Sequence, residues 1–155
     1  MQQKLKQSAP KKQKKYYSGK KKRHTIKVQI TADEKSKDIM SIAFSKGKTH
    51  DFRLFKDNCR NIREDIWVIA DKGYCGIFDI HFKSLIPVKT SKNHRLTNTE
   101  RAFNSALSRH RIFIEHINRY IKRFRILSSR YRNRHRRLFL RVNLICSIYN
   151  LQHCI

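Results

Sequence analysis

Acidic residues are the scarcest feature of this chain: eleven Asp and Glu stand against 37 Lys and Arg, a formal charge of +26. A surplus of that size repels itself unless a polyanion neutralises it, so nucleic acid is the expected partner. Long apolar runs are also lacking. No stretch of 18 or more apolar residues occurs, which argues against a membrane span, and Met1 to Lys15 holds no apolar core of the signal-peptide kind. A cytoplasmic location is expected. The cysteines Cys59, Cys75, Cys146 and Cys154 form no Cys-x-x-Cys pair and no Cys/His pattern of zinc-finger spacing. Reduced thiols are therefore expected rather than a disulfide framework or structural zinc. No internal repeat and no base-reading motif is visible.

What the chain does have is enough for one modest domain: 155 residues, 39% of them apolar. Residues 1–24 carry nine Lys and one Arg, ending in Lys20, Lys21, Lys22 and Arg23, with no acid. They read as a basic arm, either a solvated tail or a phosphate-binding arm, ahead of a body over residues 25–155. His24 to Thr31 alternates polar and apolar residues, the period of a half-buried strand, and Ile39 to Phe44 reads as a second strand. The polar cluster Asp33 to Asp38 between them predicts a hairpin turn. Thr49 or Asp51 is placed to cap a short helix ending before Arg63.

Ile66 to Ala70 is a continuous apolar run, expected of an interior strand with both faces covered. It ends in Asp71-Lys72-Gly73-Tyr74-Cys75-Gly76, where two glycines permit a tight turn directly after an acid. In open α/β sheets ligands bind beyond the carboxyl ends of strands, so Asp71 is placed where chemistry is expected. A short helix, the apolar run Leu85 to Val88 and a basic loop to Arg95 follow. Thr97 or Thr99 with Glu100 marks the start of a helix that reaches about Phe124. On it, Arg111, Glu115, Asn118, Arg119 and Lys122 share one side, and Phe113, Ile117, Tyr120 or Ile121, and Phe124 form the apolar stripe. Arg130, Arg132, Arg134, Arg136, Arg137 and Arg141 are expected to contact phosphate, beside a last amphipathic helix built on Leu138, Val142, Ile145, Ile148 and Tyr149.

With so few acids, each can be asked for an ordinary structural role. Asp33, Glu34 and Asp38 suit the hairpin turn, Asp57, Glu64, Asp65 and Asp79 suit helix surfaces and exits, and Glu100 suits a helix's first turn. Asp51, Asp71 and Glu115 remain as candidates for binding a hard divalent cation, which prefers carboxylate oxygens together with substrate phosphates. Two such ions about 4 Å apart serve phosphodiester cleavage or strand transfer. Structural roles stand beside this reading. Glu115 between Arg111 and Arg119 also fits a helix salt bridge, Asp71 a turn residue and Asp51 a helix cap.

Four segments together resemble one family, the bacterial insertion-sequence transposases of the DDE type, in the branch related to Harbinger elements. Lys14 to Thr25 resembles the family's entry into its second strand. Gly47-Lys48-Thr49-His50-Asp51 resembles its small-residue turn ending in His-Asp, and Ala70-Asp71-Lys72-Gly73-Tyr74 its strand-end motif with the second catalytic Asp. Arg111, Glu115 and Lys122 reproduce its Arg, Glu, Lys spacing, although Ser108 stands where many members have Tyr. The resemblance implies an RNase H-like fold, a mixed sheet flanked by helices, with two Mg²⁺ or Mn²⁺ ions on a carboxylate triad. Asp71 and Glu115 would be its second and third members, Lys122 and Arg111 would face the DNA, and His50 and Asp51 would lie near the site.

The family's first catalytic Asp precedes the Lys-rich segment on the central first strand. Here Met1 to Pro10 holds no acid and no strand pattern, so the first metal ligand and that strand are expected to be absent, leaving the sheet incomplete. The amino-terminal DNA-recognition domain usual in such transposases is expected to be absent too. The leading expectation is thus the carboxy-terminal part of a transposase, inactive alone, at the nucleoid of a bacterium. Its partners would be element-end DNA and, for a split gene, a transposase half from an upstream frame; a homo-oligomer is a further option. The alternatives are a non-enzymatic basic DNA-binding protein and the product of a decayed gene.

Overall fold

Alternation of polar and apolar residues after Lys22 builds the longest strand among the described residues, Arg23–Ala32. The computed structural model describes residues 2–6, 17–18, 23–59, 62–91, 94–129 and 135–153, with side chains over 25–59, 62–91, 94–129 and 137–152. Its strands are β1 (Gln2–Lys6), β2 (Tyr17–Ser18), β3 (Arg23–Ala32), β4 (Ile39–Lys46), β5 (Val68–Ile69) and β6 (Ser84–Leu85). Its helices are α1 (Asp51–Asn58), α2 (Asn98–Arg123), α3 (Arg125–Ser128) and α4 (His135–His153). The protein is mixed α/β and divides into two compact units, Met1–His50 with Ile114–Ile155, and Asp51–Phe113.

In the first unit β3 and β4 form the expected antiparallel hairpin, from Ile26 opposite Lys46 to Ala32 opposite Ile39. Its turn is held by Asp33, whose Oδ1 accepts from the backbone N–H groups of Lys35 at 2.7 Å and Ser36 at 2.8 Å. The Ser36 and Lys35 amides hold that carboxyl below its ordinary value. Burial of β3 departs from the half-buried expectation. Thr25, Lys27 and Gln29 are buried as fully as Ile26, Val28 and Ile30. The Lys27 ammonium is accommodated by donating to the Thr49 carbonyl, which offsets part of its desolvation.

The expectation that residues 1–10 hold no strand is corrected. β1 runs antiparallel to β3, from Gln2 opposite Gln29 to Lys6 opposite Thr25, so this edge of β3 is paired. Strand pairing satisfies main-chain donors and acceptors whatever the side chains, and Gln2–Lys6 contains neither Pro nor Gly to prevent it. β1 nonetheless carries no acid. β2 pairs with the start of β3.

Over this sheet α4 packs on β4 and α3 on β1. Ile117 and Ile121 of α2 and Leu138, Val142, Ile145 and Tyr149 of α4 are buried, as their helical spacing predicts, and Leu127 of α3 is buried as well. Phe44 and Phe139 meet with ring centroids 4.4 Å apart. Asn150 fastens helix to sheet: its Oδ1 accepts from Ile39 N at 2.9 Å and its Nδ2 donates to Ile39 O at 3.0 Å, satisfying both main-chain groups of that residue. Burial pushes the Cys146 thiol up to about 12, which leaves it protonated and inert. No disulfide occurs among the described residues, and Cys154 lies outside them.

The second unit is built on Phe55, Ala70, Tyr74 and Ile77, with Phe52, Ile62, Val68 and Ile86 against them. The apolar run from Ile66 gives a shorter element than expected. Only Val68 and Ile69 form β5, parallel to β6, and Ile66 and Trp67 are exposed. An apolar run signals burial on both faces only where neighbours supply both, and β5 has a single partner among the described residues. Of the two glycines after Asp71, only Gly76 occupies the left-handed region, with φ +86°. Gly73 has ordinary backbone, and a Cβ there meets nothing within 4 Å. Gly76→Ala is therefore expected to cost about 1–2 kcal/mol of stability, while Gly73→Ala stays within about 0.5 kcal/mol or gains slightly; urea titration of both variants checks this. Among the described residues no helix is long and apolar enough to cross a membrane.

Candidate functional site

Asp71 lies two residues beyond the carboxyl end of β5. Ala70 N donates to Leu85 O at 2.9 Å, continuing the ladder to the residue before it. Its own carbonyl accepts from Tyr74 N at 3.0 Å, and the buried Tyr74 ring stands edge-on to Phe55 at 5.8 Å. The carboxylate is thus carried on a turn anchored in the core. Its Oδ1 accepts from Lys72 N at 2.7 Å and pairs with an Arg111 guanidinium nitrogen at 3.3 Å. The Asp71 side chain is 49% exposed, so one face of the carboxylate remains open to solvent.

Arg111 belongs to α2, whose start is fixed by a reciprocal capping box: Thr97 N donates to Glu100 Oε2 at 2.8 Å and Glu100 N donates to Thr97 Oγ1 at 3.2 Å. These bonds hold the Glu100 carboxyl below its ordinary value, with the Thr97 amide first. Asn104 ties the same helix to the chain after β6, accepting from Val88 N at 2.8 Å and donating to Val88 O at 3.1 Å. Ser108 donates to Asn104 O at 2.8 Å, within its own helix.

The ion-pair choice on α2 separates two readings of Glu115. Arg111 turns to Asp71, and Glu115 makes no ion pair among the described residues, so the helix salt bridge does not form. Glu115, Arg119 and Lys122 are exposed, whereas Asn118 is only 3% exposed, a correction to its placement on the charged face. At 100° per residue Asn118 lies close to the flank of the buried Ile117 and Ile121, and residue type alone hid that. His50 is exposed and Asp51, the first residue of α1, is half-buried. Of the expected phosphate contacts, Arg137 is exposed. Lys20, Lys21, Lys22, Arg130, Arg132 and Arg134 lie outside the described residues, and Arg23 and Arg136 are described in backbone only.

Divalent metal fits these groups incompletely. Asp71 and Glu115 offer hard oxygen donors, but Asp71 already holds a cation on Oδ1, and no three His, Cys, Asp or Glu side chains converge among the described residues. A two-ion centre needs more carboxylate than this. Two further features lie outside the sequence reading. Lys89 Nζ lies 2.8 Å from Cys75 Sγ, beside the Asp71 turn. Of Tyr120 and Ile121, the alternatives for one place in the apolar stripe, Ile121 is buried, while Tyr120 is partly exposed and donates to Gln152 Oε1 at 2.5 Å. Its phenol and the Arg-rich surroundings were the available signal.

A family model described as DDE superfamily endonuclease matches residues 2–150. A probable transposase for insertion sequence element IS702, from Microchaete diplosiphon, is 49% identical over 144 residues, which cover 92% of this chain and 52% of that protein. The chain therefore spans about half the length of the curated relative it matches. No solved structure matches. Matched along nearly its whole length, and bearing the Asp71 and Arg111, Glu115, Lys122 motifs that pointed there, the chain belongs to the DDE superfamily of endonucleases.

Proposed function

We propose that the chain is part of the catalytic domain of a DNA transposase of RNase H-like fold, holding two of the three carboxylates and binding element-end DNA without cutting it. The observation that carries this reading is the Asp71–Arg111 pair, which fastens the strand-end acid to α2. Arg111, Arg119 and Lys122 are the cations α2 offers to DNA phosphates. Divalent ions, as used generally in this superfamily, would be held by Asp71 and Glu115 and would supply Lewis-acid stabilisation of phosphodiester oxygens. Asp51 stands third in rank as a ligand.

In this reading β1, antiparallel to β3, stands in for the family's first strand, and Gln2–Lys6 holds no Asp to serve as its ligand. Losing one shared ligand removes both charge balance and fixed geometry from a two-metal site. A transposase half supplied from another frame would have to displace β1 from β3 before its own strand could enter. Metal-dependent nicking of the DNA flanking the gene is the test: binding without nicking is expected from this chain alone. A purely DNA-binding role is the second reading, favoured by the same deficit of carboxylates.

A further inference from the structure

The turn from α2 to α3 reads Arg119-Tyr120-Ile121-Lys122-Arg123-Phe124-Arg125: four cations and two aromatics in seven residues, with no acid. Ile121 is buried at 1% exposure and anchors the segment, leaving the four cations exposed and Tyr120 and Phe124 half-buried. Tyr120 and Phe124 stand one turn apart, ring centroids 5.8 Å and planes at 61°. Tyr149 of α4 backs Tyr120 edge-on at 5.1 Å. The Arg123 guanidinium lies 5.8 Å from the Tyr120 ring centroid. Tyr120, Arg123, Phe124 and Gln152 line an open cavity of about 300 Å³.

We propose that this groove takes one unpaired base of the DNA strand whose phosphates the same helix holds. The proposal rests on the DNA-binding reading above and adds a subsite to it. A phosphate alone has no use for two aromatic walls, and a neutral apolar ligand has no use for four cations. A nucleotide has a flat π-face to stack on Tyr120 with Phe124 at its edge, and its flanking phosphates meet Arg119, Lys122 and Arg125. The Gln152 amide, fixed through its Oε1 by Tyr120, keeps its NH₂ as a donor to the base edge. A paired base cannot present its face to a wall, so the base must leave the stack.

Fluorescence anisotropy with two probes tests this: a perfect duplex, and the same duplex with one unpaired 2-aminopurine. The bulged probe is expected to bind about 5- to 150-fold more tightly, the range one base–aromatic stack supplies, with its fluorescence quenched on binding. Tyr120→Leu should bring the bulged probe down to the affinity of the perfect duplex, and Gln152→Ala should lose part of the preference. Lys122→Ala should weaken both probes by the same factor. Equal affinity for the two probes, with no quenching and no effect of Tyr120→Leu, overturns the groove and leaves DNA binding intact. Binding of neither probe overturns the DNA reading and the groove with it.

Discussion

Leu138→Ala is expected to lower the free energy of unfolding by about 2–5 kcal/mol, the cost of removing a large side chain from a packed core. Leu138 is 0% exposed on the first turn of α4, with Val142 at 1% one turn on, and this helix covers β4 and clamps Ile39 through Asn150. Domains of this size are stable by only about 5–15 kcal/mol, so the loss threatens folding at physiological temperature. Leu140, two residues away and 63% exposed, provides the control: Leu140→Ala should move stability by less than about 0.5 kcal/mol. Urea unfolding followed by circular dichroism measures both. Equal losses at the two positions would mean that α4 docks by a different face.

DNA affinity is expected to fall by about 10³–10⁵-fold between 50 and 200 mM salt, if six to ten phosphates are neutralised. The 37 Lys and Arg make such a number easy to reach, and Arg119→Ala or Lys122→Ala should each lower the log–log salt slope by about one. Asp71→Asn should leave affinity unchanged or raise it, because it removes a negative charge from a surface that meets phosphate and frees Arg111 from its partner. A shallow slope, or affinity lost with Asp71→Asn, would mean that binding runs through bridging metal rather than through the cations.

Much of the fold is legible from local chemistry. The β3–β4 hairpin follows from alternation and from the turn preferences of Asp33, and the start of α2 follows from Thr97 and Glu100 three residues apart. The strand-end position of Asp71 follows from the apolar run before it. The rest depends on neighbours that sequence pattern does not name. β1 is a strand because β3 offers it main-chain partners, although Gln2–Lys6 has no strand pattern of its own. Trp67 reads as core and is 60% exposed because β5 is too short and too sparsely flanked to cover it. Asn104 and Asn150 look like ordinary helix polar residues, yet each closes a two-bond clamp on a distant peptide unit. The motifs single out Asp71, Arg111, Glu115 and Lys122 as candidates, but which carboxylate Arg111 pairs with is a matter of distance that no motif carries.

The most direct test is to incubate the whole chain with labelled duplex from either side of its gene, in Mn²⁺ and in EDTA, and to resolve the strands on a denaturing gel. The account predicts DNA retained in complex and the same uncut strands under both conditions. Cleavage that requires Mn²⁺ and disappears with Asp71→Ala and with Glu115→Ala would contradict it, since the two carboxylates would then suffice without a third from β1.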